Sequence, residues 1–281
     1  MAGEDDIRLS LAGAQDKLAI HIANNQTSIP LGGAPSTHIL KPSFNHFADV
    51  VVNEHLCMVL ARAVGLPAAV TEVGAAEGID YLLVERYDRI RVAEHSIERL
   101  HQEDFCQALG IASENKYQNE GGPSLKQCFE LIRETSSVPI ADLTSLLDAA
   151  IFNFLIGNND AHGKNFSLLY TPGPGSGTQT RLAPFYDMLS TAYYPELSNK
   201  MAMKIGGEYL SEKVSTASFD QFAEDAGLSK PIAKRRVRGL AEAVIARLPQ
   251  VATEHPVSVA VAKLIHERCT KTIHQFAPNA S

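Results

Sequence analysis

Apolar residues repeat at two different periods along the chain. Up to about residue 88 the pattern is strand-like: "KLAIHIA" and "STHILKP" alternate or run apolar around the turn "IPLGGAPS". "DVVVNEHLCMVLARAVG" then carries Val51, His55, Leu56, Val59, Leu60 and Ala63 at helical spacing, with Gly65 as its stop. "AAVTEVGAAEGIDYLLVERYDR" predicts a hairpin turning at Gly-Ile-Asp. Residues 1–88 are thus expected to form a small mixed α+β lobe.

Beyond that point the period lengthens. "QEDFCQALG", "LKQCFELIRE" and "ADLTSLLDAAIFNFLIG" place apolar residues every three to four positions and predict helices. A hairpin is expected to interrupt them, with "FSLLY" outbound, "TPGPGSGTQT" as the loop and "RLAPFYD" returning. From "FDQFAEDAGLSK" onward the tail reads as helical. Residues 89–281 are therefore expected to form a mostly helical lobe, and no internal repeat is seen.

Composition narrows the class. A chain of 281 residues, 45% hydrophobic and 20% charged, suits a sizeable core in one large domain or two lobes. Lys and Arg number 25 against 32 Asp and Glu, for a net charge of −7, which counts against a nucleic-acid surface covering the whole molecule. One local basic run, "KPIAKRRVRG", reads first as a solvated helix face and second as a DNA-phosphate contact within a larger complex. The four cysteines lack CxxC spacing, so reduced thiols are expected. "MAGEDDIRLS" has no apolar core, and the longest apolar stretches are broken by His55, Arg62 or Asn153. A cytoplasmic chain with no membrane partner is the expectation.

The densest chemistry lies in "GNNDAHGKNFS", where Asp160 and Asn165 stand as D-x-x-x-x-N. That spacing can set a carboxylate beside an acceptor hydroxyl and a carboxamide on a magnesium ion. Alone it is weak, because Asp148 and Asn153 repeat it inside an apolar helix. The predicted hairpin distinguishes the first copy by returning Asp187 beside Asn165. Phosphoryl transfer needs such a set, with two ligands for the metal and a third group to orient the nucleophile. Lys41 ends the strand "THILK" and could lie on phosphates. Glu54 on the next helix could hold it there or face solvent. Upstream, "SLAGAQDK" is a small-residue turn able to aim backbone N–H groups at phosphates, and "VERYD" could run past an adenine edge or be a plain linker.

Taken in order, "SLAGAQDKLA", "THILKP", "NEHLCMVLARAVGL", "VERYDR", "QEDFCQALG", "KYQNEGGPS", "GNNDAHGKNFS" and "LAPFYDMLS" resemble the signatures of the HipA family of bacterial serine/threonine kinases. The resemblance runs from about residue 8 to 205 and more loosely to the end. It implies a two-lobed, protein-kinase-like α+β fold related to the phosphatidylinositol kinases, with ATP and Mg²⁺ as cofactors. By the same resemblance Asp160 is the catalytic base, His162 lies close to the phosphates, and Asn165 and Asp187 are metal ligands. Ala12, Gly13, Ala14, Gln15 and Lys41 would meet the ATP phosphates, supported by Glu54. Glu85 and Tyr87 would offer backbone groups to adenine, and Gln102 would line the nucleotide pocket. Ser10 matches the family's autophosphorylated serine, whose dianionic phosphate would compete with ATP and inhibit the kinase.

Several consequences follow from that likeness. The substrate would be a protein of translation, with family precedent for an aminoacyl-tRNA synthetase. Partners would be a HipB-like DNA-binding antitoxin, DNA only through it, and a HipS-like small protein. The last expectation arises because the loop begins almost at Met1, whereas HipA has an N-terminal subdomain before it. A truncated chain would explain the same difference. The stretch "MLSTAYYPELSNKMAMKIGG" is not a DFG-type activation loop. Two alternatives compete with the toxin kinase. One is a small-molecule phosphotransferase of aminoglycoside- or choline-kinase type, disfavoured because the histidine follows Asp160 by two residues instead of preceding it. The other is a pseudokinase scaffold for an antitoxin, disfavoured by the complete set Lys41, Asp160, Asn165 and Asp187.

Overall fold

The computed structural model describes residues 16–277 apart from 25, 44–46, 48, 94–95 and 176. Ser10 and the phosphate-loop residues Ala12, Gly13, Ala14 and Gln15 lie outside the described residues.

Five antiparallel strands open the fold: β1 (Leu18–Ala23), β2 (Gln26–Ser28), β3 (His38–Pro42), β4 (Thr71–Ala76) and β5 (Ile79–Glu85), in the order β2-β1-β3-β5-β4. The β4–β5 turn is Glu77–Gly78, both with positive φ, one step ahead of the Gly-Ile-Asp turn that the sequence suggested. Paired positive φ values match the right-handed twist of flanking strands, and that requirement fixes the turn. Helix α1 (Val50–Ala63) lies against β4 and β5 on one side and the C-terminal helices on the other. That double cover explains why residues almost all round it, from Val50 and Val51 to Leu60 and Ala61, are buried. It stops as predicted at Gly65, whose φ of 93° accompanies bonds from Gly65 N–H to Arg62 O and from Leu66 N–H to Ala61 O.

After β5 the chain forms the ribbon β6 (Arg89–Ala93) and β7 (Ser96–Arg99), then β8 (His101–Asp104) and the single turn α2 (Phe105–Ala108). The expected helix over "QEDFCQALG" is therefore half strand. Asp104 caps the turn, accepting from Gln107 N–H at 2.9 Å, and helix cannot extend back through it. Helices α3 (Leu125–Thr135) and α4 (Pro139–Ile156) follow as predicted. By length and composition α4 could cross a membrane, against the reading that no such stretch exists. Its second half, including Ile151, Phe152 and Leu155, is instead buried in the core.

The predicted hairpin is β9 (Ser167–Pro172) and β10 (Thr178–Leu182), with β8 on the outer side of β9. "TQT", read as loop, belongs to β10 and pairs with Pro172, Thr171 and Tyr170. A further ribbon, β11 (Lys200–Ile205) and β12 (Glu208–Leu210), was not foreseen, and helices α5 (Thr216–Asp225), α6 (Lys230–Val251) and α7 (Pro256–Gln275) close the fold. The basic run opens α6. Its Lys230, Lys234, Arg236 and Arg238 pair with Glu224, Asp220, Asp148 and Glu242, while Ala233, Val237 and Ala241 face the core. Arg235 is exposed, so the run forms a half-exposed helix face as the first reading expected.

Candidate functional site

Lys41 sits near the end of β3 with only 5% of its surface exposed. Its ammonium donates to Glu54 Oε1 at 2.6 Å and, in a shorter contact, to Asp187 Oδ1. Burial alone would lower this lysine's pKa. The two carboxylates outweigh burial and hold its pKa above the ordinary lysine value. Asp187 is pushed the other way, because Lys41 and Lys17 overcome its own burial and keep it well below the usual carboxylate range. For Glu54 desolvation wins and the pKa is raised despite Lys41. The pairing of Lys41 with Glu54 is the arrangement the sequence left undecided.

Asp187 has φ of 55°, a left-handed conformation that Asp tolerates better than most residues. The segment before it is tied to the α1–β4 connection by bonds from Phe185 N–H to Pro67 O at 2.7 Å and from Ala69 N–H to Phe185 O at 2.9 Å. The segment after it is held by Asn53, a fully buried amide on α1. Asn53 Nδ2 donates to Ser190 O at 2.9 Å, and Asn53 Oδ1 accepts from Ser190 N–H at 2.9 Å. Neighbouring residues of one helix, Asn53 and Glu54, thus fix both the chain that follows Asp187 and the lysine that faces it.

The polar loop follows from the end of α4. Gly157 takes φ of 73° and a Cβ there would meet Ala192 Cβ at 2.7 Å, so the turn requires glycine. Asn165 Nδ2 then donates to Asp187 Oδ2 at 3.3 Å, which brings together the two residues expected to share a metal. Asp160 is half-buried, and its Oδ1 accepts from Tyr117 O–H at 2.6 Å. His162 is 2% exposed, with its ring edge-on to Tyr117 and neither ring nitrogen hydrogen-bonded. Burial, reinforced by Lys116, pushes its pKa down to about 3, so the imidazole is neutral. The duplicate pair behaves as the sequence reading anticipated. Asp148 pairs with Arg236, and Asn153 Oδ1 accepts from Asn158 Nδ2 inside the fold, the same amide donating to the main-chain carbonyl of Asp187.

Beside these residues opens a cleft of about 620 Å³, lined by Lys17, Ile39, Lys41, Val84, Glu85, Tyr87, Gln102, Tyr186 and Asp187 among others. Glu85 N–H is spent on Val70 O, and the next N–H, of Arg86, points the other way to Thr37 O. Alternation along an extended chain therefore leaves Glu85 C=O and Tyr87 N–H on the side away from β3. Gln102, on β8 and not on a helix, accepts from Tyr87 O–H at 2.7 Å, and Tyr87 stacks on Tyr186 with ring centres 6.1 Å apart.

Sequence reasoning missed Asn53, Lys17, Tyr117 and Tyr186 as members of the site. All four lie in quoted signature stretches, Tyr117 in one to which no role had been given and Asn53, Lys17 and Tyr186 in stretches read for other residues.

Comparison with known proteins follows this geometry. A family model described as the HipA-like C-terminal domain matches residues 9–251. The chain is 46% identical over 252 residues to Y4mE of Sinorhizobium fredii, covering 89% of this chain and 59% of that protein. It is 32% identical over 259 residues to the serine/threonine-protein kinase toxin HipA of Shewanella oneidensis, covering 88% of this chain and 57% of the relative. It thus spans less than two thirds of the length of these relatives. Among solved structures, a chain of the Shewanella oneidensis MR-1 complex of HipA, HipB and operator DNA superposes with a TM-score of 0.86 at 27% identity, over 96% of this chain and 66% of that one. The Helicobacter pylori proinflammatory kinase CtkA gives a TM-score of 0.58 at 11% identity, over 91% of this chain and 90% of that one, a likeness of fold alone. The kinase-like α+β fold expected from the sequence is the fold observed.

Proposed function

The chain belongs to the family of HipA-like C-terminal domains, and on that premise we propose that it is an ATP- and Mg²⁺-dependent serine/threonine protein kinase, the toxin of a HipA-type toxin–antitoxin pair. The observation that carries the reading is the convergence of Lys41, Glu54, Asn165 and Asp187 at one end of the 620 Å³ cleft. Folding alone gives no reason to bury a lysine between two carboxylates there, because apolar groups of the same size would do as well.

The residues fit a nucleotide with its cation. Lys41, held charged by Glu54, would hold phosphate oxygens. Asp187 and Asn165 would hold the cation with oxygen donors, and His162, buried and without a partner on either ring nitrogen, would face the phosphates as a neutral donor. Glu85 C=O and Tyr87 N–H would pair with the adenine edge, while Gln102 fixes Tyr87. ATP with Mg²⁺ would supply the γ-phosphoryl group and the charge that offsets it. Asp160 would orient the acceptor hydroxyl and take its proton at a carboxylate oxygen.

The resemblance also supports the wider role: an aminoacyl-tRNA synthetase as substrate, a HipB-like antitoxin and a HipS-like small protein as partners, and Ser10 as a self-inhibiting phosphorylation site. We divide the chain at residue 88, with the nucleotide cleft between the two lobes. Intact-mass measurement before and after incubation with Mg²⁺ and ATP tests the reading. A phosphate-sized gain in wild type, absent in Asp160→Ala, is expected. No gain with any added antitoxin, small protein or synthetase would refute it.

A further inference from the structure

The segment 115–123, "NKYQNEGGP", is a loop that packs against the polar loop carrying Asp160. A Cβ on Gly122 would lie 2.6–2.7 Å from the backbone at Asn115, Lys116 and Tyr117, so the loop is folded tightly on itself. A Cβ on Gly163 would meet Pro123 Cγ at 2.3 Å and Cys106 Sγ at 3.0 Å, so the two loops touch with no space between them. Gln118 adds an anchor from the other side, accepting from Lys204 N–H on β11 at 2.8 Å. Glycines at the contact and anchors on both flanks set the position of one side chain. Tyr117 is 6% exposed, its ring lies edge-on to His162 at 5.6 Å, and its hydroxyl donates to Asp160 Oδ1 at 2.6 Å.

We propose that Tyr117 is a positioning residue for the catalytic base: its phenol holds the Asp160 carboxylate in the plane and rotamer from which it meets the acceptor hydroxyl. The inference deepens the kinase reading and rests on it. Asp160 lies on a loop between a helix and a strand, where hydrogen-bond partners choose among the rotamers of a carboxylate. A charge-assisted bond from a buried phenol selects one, and productive geometry tolerates only small displacements. Lys116, next to Tyr117, interacts with this carboxyl, while His162 is neutral. The sequence had offered "KYQNEGGPS" as a likeness without a role, and this contact supplies one.

Tyr117→Phe removes one oxygen and keeps the ring on His162, so folding is preserved, and a thermal melt checks that. Two readouts are then taken. In ligand-free protein with ¹³C-labelled aspartate carboxyls, the Asp160 resonance is identified by its loss in Asp160→Asn and followed through a pH titration. Loss of a hydrogen bond to the charged form raises the protonation midpoint in Tyr117→Phe by about one pH unit. With Mg²⁺ and ATP, kcat falls roughly 10–100-fold and the KM for ATP stays as in wild type, as expected when the loss is confined to the acceptor side. An unmoved midpoint, or a moved midpoint with unchanged kcat, overturns the assignment of Tyr117. Absence of transfer in wild type overturns the kinase reading instead, and the titration keeps those two failures distinct.

Discussion

Replacing Lys41 by Met tests the electrostatic core of the site. The ammonium lies 2.6 Å from Glu54 Oε1 and closer still to Asp187 Oδ1, with its side chain 6% exposed. At 2.6 Å and an effective dielectric near 20, one such contact is worth about 6 kcal/mol of attraction. Desolvation of the ions, several kcal/mol each, cancels much of it. Methionine fills the space but leaves Glu54 and Asp187 as two carboxylates without a cation between them. Breaking a buried pair from one side typically costs about 3–5 kcal/mol, or roughly 6–12 °C in Tm for a chain of this size.

The dependence on pH gives a sharper criterion. In wild type Asp187 has a lowered pKa, so its stabilisation is present above the ordinary carboxylate range and is lost as pH falls through the lower folded value. In Lys41→Met burial acts on both carboxyls with only Lys17 left beside Asp187, so the folded state holds more protons than that of wild type. The variant should gain stability more steeply than wild type, in which Glu54 alone of the two carboxyls is raised, as pH is lowered from 8 to about 5. Urea titrations at a series of pH values measure this directly. A loss below about 1 kcal/mol, or a variant whose stability does not rise toward pH 5, would refute the account.

Other expectations are open to equally direct measurement. Asp160→Ala should cut phosphoryl transfer by ~10²–10⁴-fold with an unchanged melt, and activity within tenfold of wild type would remove Asp160 from the role of base. Asn53→Ala leaves the buried N–H of Ser190 without its acceptor, while the Ser190 C=O keeps the bond from Tyr193 N–H, and should cost about 1–3 kcal/mol in denaturant unfolding. A loss of only a few tenths would mean that water replaces the amide. Gly163→Ala places a Cβ 2.3 Å from Pro123 Cγ, and should lower kcat more than it lowers Tm, which assay and melt on one preparation can compare. Asp187→Asn keeps a residue that accepts positive φ but loses the charge, so Mg²⁺-dependent ATP binding measured by calorimetry should weaken at least tenfold.

Much of this fold was legible because it obeys simple periods. The first helix and its glycine stop, α3, α4 and the β9–β10 hairpin each carry a pattern long enough to read, and that hairpin alone was sufficient to set Asp187 beside Asn165. The misses have physical causes. Strand β8 is four residues, "HQED", with no apolar alternation, since its place is fixed by pairing with β9 and not by a face turned to the core. Ribbon β11–β12 has a register irregularity between Lys200 and Ile205 that breaks its period. In the site, Lys41 and Glu54 stand thirteen residues apart on adjoining elements and could be paired on paper. The Asn53 contacts span 137 residues and that of Tyr117 spans 43, and no local pattern reports which distant backbone an amide or a phenol will meet.

The amide pair between Asn53 and Ser190 also decides how the site can come apart. Because Asn53 binds the main chain of Ser190 through both its N–H and its C=O, and Glu54 beside it holds Lys41, the helix, the lysine and the segment after Asp187 form one mechanical unit. A force or a denaturant that frees any one of them must free all three together. Amide exchange should therefore find the protons of α1 and of Ser190 released in a single opening event, at one common free energy.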